Sequence, residues 1–171
     1  ARYLLGEALE KDPDYAPAWS LLGDLEVRDG DLVTAEENYS KAIAASANKF
    51  GEYYKRALVR VNAQQYDRVE QEIKAMRGLV SSHPGVDFLQ GLLLLGRDEP
   101  EQARPFFDKA ALEPGSYPLS LYYLAALQRQ EGSLETARNS INRFLTIAPD
   151  NEAGRKLGAA IAYQQENFAR A

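Results

Sequence analysis

Residues 16–42 read APAWSLLGDLEVRDGDLVTAEENYSKA. Trp19, Leu22 and Gly23 fall on one face of a helix that stops at Gly30. Ala35, Tyr39 and Ala42, spaced by four and three, fall on one face of a second helix. The small residues let a neighbouring helix approach closely, and the large ones fill the space beside it. Gly30 suits the turn between two antiparallel helices, because a left-handed conformation costs glycine nothing. Asp31 then stands where its carboxylate can cap the second helix.

The same arrangement recurs every 34 residues. Ala1, Ala35, Val69, Ala103, Ala137 and Ala171 form one column, and Leu5, Tyr39, Ile73, Phe107 and Ile141 another. Ala8, Ala42, Met76, Ala110 and Phe144 form a third. Gly23, Ala57, Gly91, Ala125 and Ala159 share a column of small residues, and Gly30, Gln64, Asp98, Gly132 and Glu166 share the turn column. Pro13 and Pro149 fall in phase after two of the repeats. A proline there blocks continuation of the helix and sets the start of the next unit.

Composition agrees. Alanine (25) and leucine (22) far outnumber valine (7), isoleucine (5) and threonine (3), which favours helix over sheet. Charged residues make up 26% and hydrophobic ones 45%, as in a folded chain rather than a disordered one. The absence of cysteine excludes disulfides, thiolate metal sites and cysteine nucleophiles, and a single histidine, His83, excludes a His-rich metal site. A net charge of −5 argues against nucleic acid as a partner. The longest apolar run, Leu92 to Leu95, is far below the ~20 residues of a membrane span, so direct membrane insertion is not expected. Nothing at Ala1 reads as a signal peptide. No Gly-rich phosphate loop, metal-ligand spacing or nucleophile–base arrangement is present, so neither an enzyme nor a cofactor is expected.

The repeat resembles the tetratricopeptide repeat (TPR), a 34-residue helix–turn–helix. Trp19, Leu22, Gly23, Ala35, Tyr39 and Ala42 carry the resemblance best, followed by Leu121, Leu124, Ala125, Gly132, Ala137, Phe144 and Pro149. It implies an all-α, right-handed solenoid of antiparallel helix pairs. The reading is one array over 1–171, with a second helix at 1–13, full repeats at 16–49, 50–84, 85–115 and 118–151, and a truncated repeat at 152–171. Start and stop signals predict helices over 1–11, 15–29, 31–46, 49–63, 66–80, 86–96, 99–112, 118–131, 134–147 and 151–165. Asp31 and Ser133 are the expected N-caps, Asp98 with Glu101 reads as a capping box, and Pro100 fits a first turn. Arg56 and Gln90 stand where the repeat normally has leucine. The turns at Ser81–Pro84 and Ala110–Pro114 are out of phase. His83 is read as a helix cap or a solvent residue.

The resemblance further implies that the first helix of each repeat lines a concave binding surface. The residues mapped there include Tyr54, Lys55, Phe88, Leu92, Tyr122, Tyr123, Arg129 and Lys156. Ser20, Leu21, Asp24 and Tyr163 fall on the same face. A protein or peptide with apolar anchors and an acidic flank would suit this set. The alternative for Tyr54, Phe88 and Tyr122 is packing between adjacent first helices, and the alternative for the whole chain is a purely structural segment with an empty groove. Ser20, Asp24, Lys55 and Tyr123 do not match the lysine, asparagine and arginine with which some TPR domains clamp a C-terminal carboxylate.

A narrower resemblance, to TPR lipoproteins of the bacterial PEP-CTERM/exosortase system, rests on His83-Pro84, Leu89-x-Gly91, Glu101-x-Ala103-Arg104, Tyr117-Pro118, Phe144-Leu145 and Pro149-Asp150-Asn151 with Arg155-Lys156-Leu157. It implies a periplasmic or outer-membrane-anchored parent, with its lipidated cysteine outside this sequence, in exopolysaccharide and surface-protein export. Without it, a cytoplasmic location is expected. The length is five periods plus one residue, which reads as a piece cut from a longer array. The helices at the two ends expose Leu4, Leu5, Leu9, Ile161 and Tyr163, so end-to-end self-association is expected. Gly154 and Gly158 are expected to weaken the last helix by about 1 kcal/mol each.

Overall fold

A computed structural model describes residues 1–113, Gly115 and residues 117–170, with side chains through Glu166. Pro114 of the out-of-phase turn and Ala171 of the alanine column lie outside the described residues. Ten helices and no strand are present among the described residues. They are α1 (Arg2–Lys11), α2 (Ala16–Asp29), α3 (Leu32–Ala45), α4 (Phe50–Asn62) and α5 (Tyr66–Leu79), then α6 (Pro84–Gly96), α7 (Pro100–Ala110), α8 (Leu119–Gln130), α9 (Leu134–Ile147) and α10 (Glu152–Arg170). Two compact units divide the chain between Ser82 and His83. In the first, α1 through α5 pack each on the next. In the second, α6 through α10 do the same, and α8 also touches α10.

The turn column sets the helix pairs. Gly30, Gln64, Asp98 and Gly132 have φ of 86°, 55°, 62° and 79°, all left-handed. At each one the following N–H reaches back to the carbonyl five residues earlier: Asp31 to Glu26, Gln65 to Arg60, Glu99 to Leu94 and Ser133 to Gln128, all at 2.9 Å. This is the Schellman closure, and it satisfies carbonyls that a helix end would otherwise leave open. Asp98 therefore ends α6 and does not begin α7. The capping box expected of Asp98 and Glu101 is not formed, and Glu99 is the N-cap of α7, without a side-chain bond. Asp31 does cap α3, accepting from Thr34 N–H at 3.0 Å and from the Thr34 hydroxyl at 2.6 Å. Ser133 holds the N-cap position of α9, but its hydroxyl makes no capping bond. His83 caps α6, its Nδ1 accepting from Gly85 N–H at 3.1 Å, so this helix begins two residues before its expected start.

The fifth turn is missing. Glu166 occupies the turn column, and α10 runs straight through it to Arg170, past its expected end at 165. Glutamate is a good helix former and has no special access to the left-handed region, so nothing there stops the helix.

The periodic columns form the cores. Ala35, Val69, Ala103 and Ala137 are wholly buried, as are Ala42, Met76 and Ala110, with Phe144 almost so. Tyr39, Ile73, Phe107 and Ile141 are buried behind them. A Cβ on Gly23 would lie 2.5 Å from Tyr39 Cε1, and one on Gly91 2.7 Å from Phe107 Cε1. The other two repeats carry alanine at 57 and 125 and isoleucine at 73 and 141. Glycine thus accompanies an aromatic ring and alanine a branched aliphatic, which conserves volume across the helix contact.

Gly154 is not a weak point. It is buried, and a Cβ there would meet Phe144 Cε1 at 2.6 Å, so glycine is what lets α10 approach α9. Gly158 has its nearest neighbours at 3.7 Å and carries only the propensity cost.

Arg56, the departure from leucine, is explained by Glu72. The carboxylate of Glu72 is almost fully buried on α5 and accepts from Arg56 Nε at 2.8 Å and from Arg60 Nη1. Arg60 also binds Glu36 of α3 at 2.9 Å, and Arg56 donates to the Ser40 hydroxyl at 2.8 Å. The unit of residues 1–82 therefore has a charged layer at a level where the following repeat carries Leu94 and Phe106. Two periods further on, the positions of Arg60 and Glu72 hold Gln128 and Ser140, joined by a buried hydrogen bond of 2.8 Å.

Candidate binding surface

The first helices carry the mapped residues, and each unit treats them differently. In the unit of residues 1–82, Lys55 on α4 reaches across to α2. Its Nζ lies 2.7 Å from Asp24 and 3.1 Å from the Ser20 hydroxyl, and the Tyr39 hydroxyl donates to the other oxygen of Asp24 at 2.8 Å. Burial and the neighbouring Asp24 carboxylate raise the Tyr39 hydroxyl far above the ordinary tyrosine pKa, so it stays a donor. The Lys55 charge is met inside the unit. Tyr54 beside it is half-buried.

In the unit from His83 onward, α6 and α8 bring an aromatic cluster together. Tyr123 stacks on Phe107 with ring centroids 5.0 Å apart and planes 11° apart, and Phe88 lies 6.0 Å from Tyr123 and 6.2 Å from Tyr117. Tyr122 meets Tyr123 edge-on at 5.5 Å and Phe144 at 5.8 Å. Phe88 is only 3% exposed and Leu92 only 7%. Both are corrected from the binding surface to the core, because α6 turns its apolar stripe onto α7 and the rings of α8. Tyr123 is half-buried, and desolvation, with Tyr122 adjacent, raises its hydroxyl pKa.

The accessible residues of α8 include one stripe. Leu119, Tyr122, Ala126 and Arg129 follow each other at three, four and three residues, and Leu119 is 44% exposed. Tyr122, Ala126 and Arg129 are half-exposed. Arg129 is steadied by α10, its Nε donating to Gln164 Oε1 at 3.2 Å. Lys156 and Tyr163 project from exposed positions of α10, where Lys156 pairs with Glu152 at 2.6 Å. Leu119 and Ala126 were not singled out in the sequence; their signal is the helical spacing with Tyr122 and Arg129. The stripe can offer aromatic and aliphatic area with an arginine at its end. Among the described residues, no three histidine or acidic side chains are placed to hold a metal, and no helix is long and apolar enough to cross a membrane.

No family model and no curated protein matches the sequence, so the narrower lipoprotein resemblance stays with its sequence motifs. Solved structures do match. The structure of the APC/C heterotetramer Cut9–Hcn1 superposes with a TM-score of 0.85 at 14% identity, over 96% of this chain and 33% of that one. This chain thus spans about a third of that match. The thermophilic TPR protein TTC0263 of Thermus thermophilus gives 0.77 at 18% identity, over 95% of this chain and 89% of that one. YrrB, described as a TPR protein with an unusual peptide-binding site, gives 0.63 at 17% identity, over 98% and 86%. The fold is therefore all-α and of the TPR kind, as its repeat predicts.

Proposed function

We propose that the chain is a non-enzymatic interaction scaffold that takes a peptide segment of a partner protein on the α8 stripe and the adjoining face of α10. One observation carries this reading. Leu119, Tyr122 and Arg129 are accessible in register on a helix steadied by the packing of Tyr123 on Phe107 and Phe88 and of Tyr122 itself against Phe144. A rigid helix presenting tyrosine and arginine offers contact area and hydrogen bonds at low entropic cost. The peptide-binding description of YrrB, a structure of the same fold, lends support. The partner segment carries apolar anchors for Leu119 and Tyr122 and an acidic residue for Arg129.

A peptide library is passed over the immobilised chain and over Tyr122→Ala and Arg129→Ala variants whose helicity matches wild type. The expected result is loss of aromatic- or aliphatic-anchored peptides with the first variant and loss of acidic ones with the second. Equal retention by all three proteins sinks the reading and leaves a purely structural segment. The motif resemblance to envelope lipoproteins adds a setting in bacterial surface-protein export, which membrane fractionation of the intact protein tests.

A further inference from the structure

In the unit of residues 1–82, the space between α3 and α5 is closed by arginine. Arg60 reaches Glu36 at 2.9 Å and also pairs with Glu72. Arg68, in the first turn of α5, lies 2.8 Å from Glu36 and donates to Gln65 Oε1 at 2.9 Å. Two periods on, the positions of Arg60, Gln65, Arg68 and Glu72 hold Gln128, Ser133, Thr136 and Ser140, each shorter than its counterpart and none of them charged. An open cleft of about 320 Å³ lies there, lined by Gln128, Glu135, Thr136, Asn139 and Ser140. A second hollow, of about 490 Å³, shares Glu135 and Thr136 with it and reaches Ser133.

The polar groups of this cleft are left open. Gln128 is only 7% exposed, and one end of its amide accepts from the Ser140 hydroxyl at 2.8 Å. The other end has no partner among the described residues, although the side chain lines the cleft. A buried polar group without a partner carries a cost that a ligand can remove. Among the described residues, the side chains of Ser133, Glu135 and Asn139 likewise make no hydrogen bond or ion pair. The Thr136 hydroxyl donates to the Ser133 carbonyl at 2.8 Å, which leaves its oxygen free to accept. The neighbouring cations are already engaged, Arg104 with Glu131 at 2.6 Å and Arg138 with Gln165 at 3.4 Å. Glu135 is thus the unmatched charge of the cleft.

We infer that this cleft takes an arginine side chain of a partner protein. The groups around it accept: the Glu135 carboxylate, the Ser133 and Thr136 hydroxyls, and the amide oxygens of Asn139 and, with its amide turned over, Gln128. A guanidinium brings donors in a planar fork together with one positive charge, which suits that set and answers Glu135. An anion would meet Glu135 with no free cation beside it. The fold supplies its own precedent, since Arg60 and Arg68 fill the equivalent place in the unit of residues 1–82. Arg68 stands in the first turn of α5 as the incoming group would stand against the first turn of α9. None of the lining residues belongs to the α8 stripe, so the site stands independently of the peptide face proposed there.

Titrating the tripeptide Gly-Arg-Gly, blocked at both ends, into the isotope-labelled chain at millimolar concentration tests this by NMR. Saturable shifts are expected at the side-chain amides of Gln128 and Asn139 and at the backbone amides of Glu135 and Thr136. The same tripeptide with lysine, or with uncharged citrulline, should bind about tenfold more weakly or worse, because lysine lacks the fork and citrulline the charge. Glu135→Gln should weaken binding by about tenfold, the scale of a lost interfacial charge pair. Thr136→Arg, a change at an exposed position that restores the arginine carried at 68, should fill the cleft from within and abolish the shifts, with circular dichroism as the fold control. No saturable shift at these groups, equal binding of the citrulline tripeptide, or shifts that survive Thr136→Arg overturn the inference.

Discussion

The ring of Tyr39 occupies the space where a side chain at Gly23 would begin: a Cβ there would stand 2.5 Å from Cε1, 2.7 Å from Cδ1 and 2.8 Å from Cζ. The ring has little room to yield, being 2% exposed and tied through its hydroxyl to Asp24 at 2.8 Å. Gly23→Ala is therefore expected to destabilise the chain by about 1–3 kcal/mol despite alanine's better helix propensity. Adding Tyr39→Ile recreates the alanine–isoleucine combination found at 57 and 73, and should recover most of the loss. Urea denaturation of both variants checks this. Simple additivity of the two substitutions would show that the pair is not coupled.

Two of the four turns hold a residue poorly suited to them. Gln64 and Asp98 have positive φ where Gly30 and Gly132 do the same work without a Cβ penalty. Left-handed backbone costs an L-residue about 1–2 kcal/mol, and glycine gives back part of that gain through its extra freedom in the unfolded chain. Gln64→Gly and Asp98→Gly are each expected to stabilise by about 0.5–1 kcal/mol, seen as a higher thermal midpoint. A lower midpoint for either would mean that the side chain contributes more than the strain it carries.

The turn column also shows what the sequence makes legible and what it hides. A period of 34 residues places every helix pair, and the buried columns follow from it, because side-chain direction along a helix is fixed by geometry. Asp98 is open to two readings, since aspartate serves both as an N-cap and as a left-handed residue, and only its place in the column with Gly30 and Gly132 distinguishes them. Leu92 escapes the sequence for a related reason, and the sequence leaves Phe88 open between packing and binding. Their position in the repeat names a face, but the rings of Phe107, Tyr117 and Tyr123 decide whether that face reaches solvent. Arg56 has no local rationale at all, because its partner Glu72 lies on another helix and one does not predict the other by spacing alone.

Glu72 holds two guanidinium groups in a site that excludes water, its carboxylate 2% exposed. Removing it would leave Arg56 and Arg60 facing each other across a desolvated gap. Glu72→Ala is expected to cost about 3–5 kcal/mol, the scale for removing one partner of a buried ion pair. Ser140→Ala, at the equivalent position two repeats later, breaks only a neutral bond to Gln128 and should cost about 1 kcal/mol, rising toward about 3 if the amide is left unsatisfied. Parallel denaturation of the two variants compares them directly. Equal losses would mean that the charge of the layer contributes nothing beyond a hydrogen bond.

Asp31 links one cap to pH. Hydrogen bonds from the Thr34 hydroxyl and from the Thr34 N–H favour the ionised carboxylate and hold its pKa below the usual range. A carboxylate depressed in the folded state contributes stability that is complete above its unfolded pKa, and this is lost as the pH falls through the folded value. The N-terminus of α3 should thus keep its cap at any pH above about 4 and surrender it only in stronger acid. The Thr34 amide resonance, followed by NMR through an acid titration, should move with a midpoint below about 3.9, the unperturbed aspartate value. An Asp31→Asn variant should keep a capped helix and lose that movement, since its amide oxygen accepts the same bond without titrating. A Thr34 midpoint at or above the ordinary aspartate value would show that the cap does not favour the charged form.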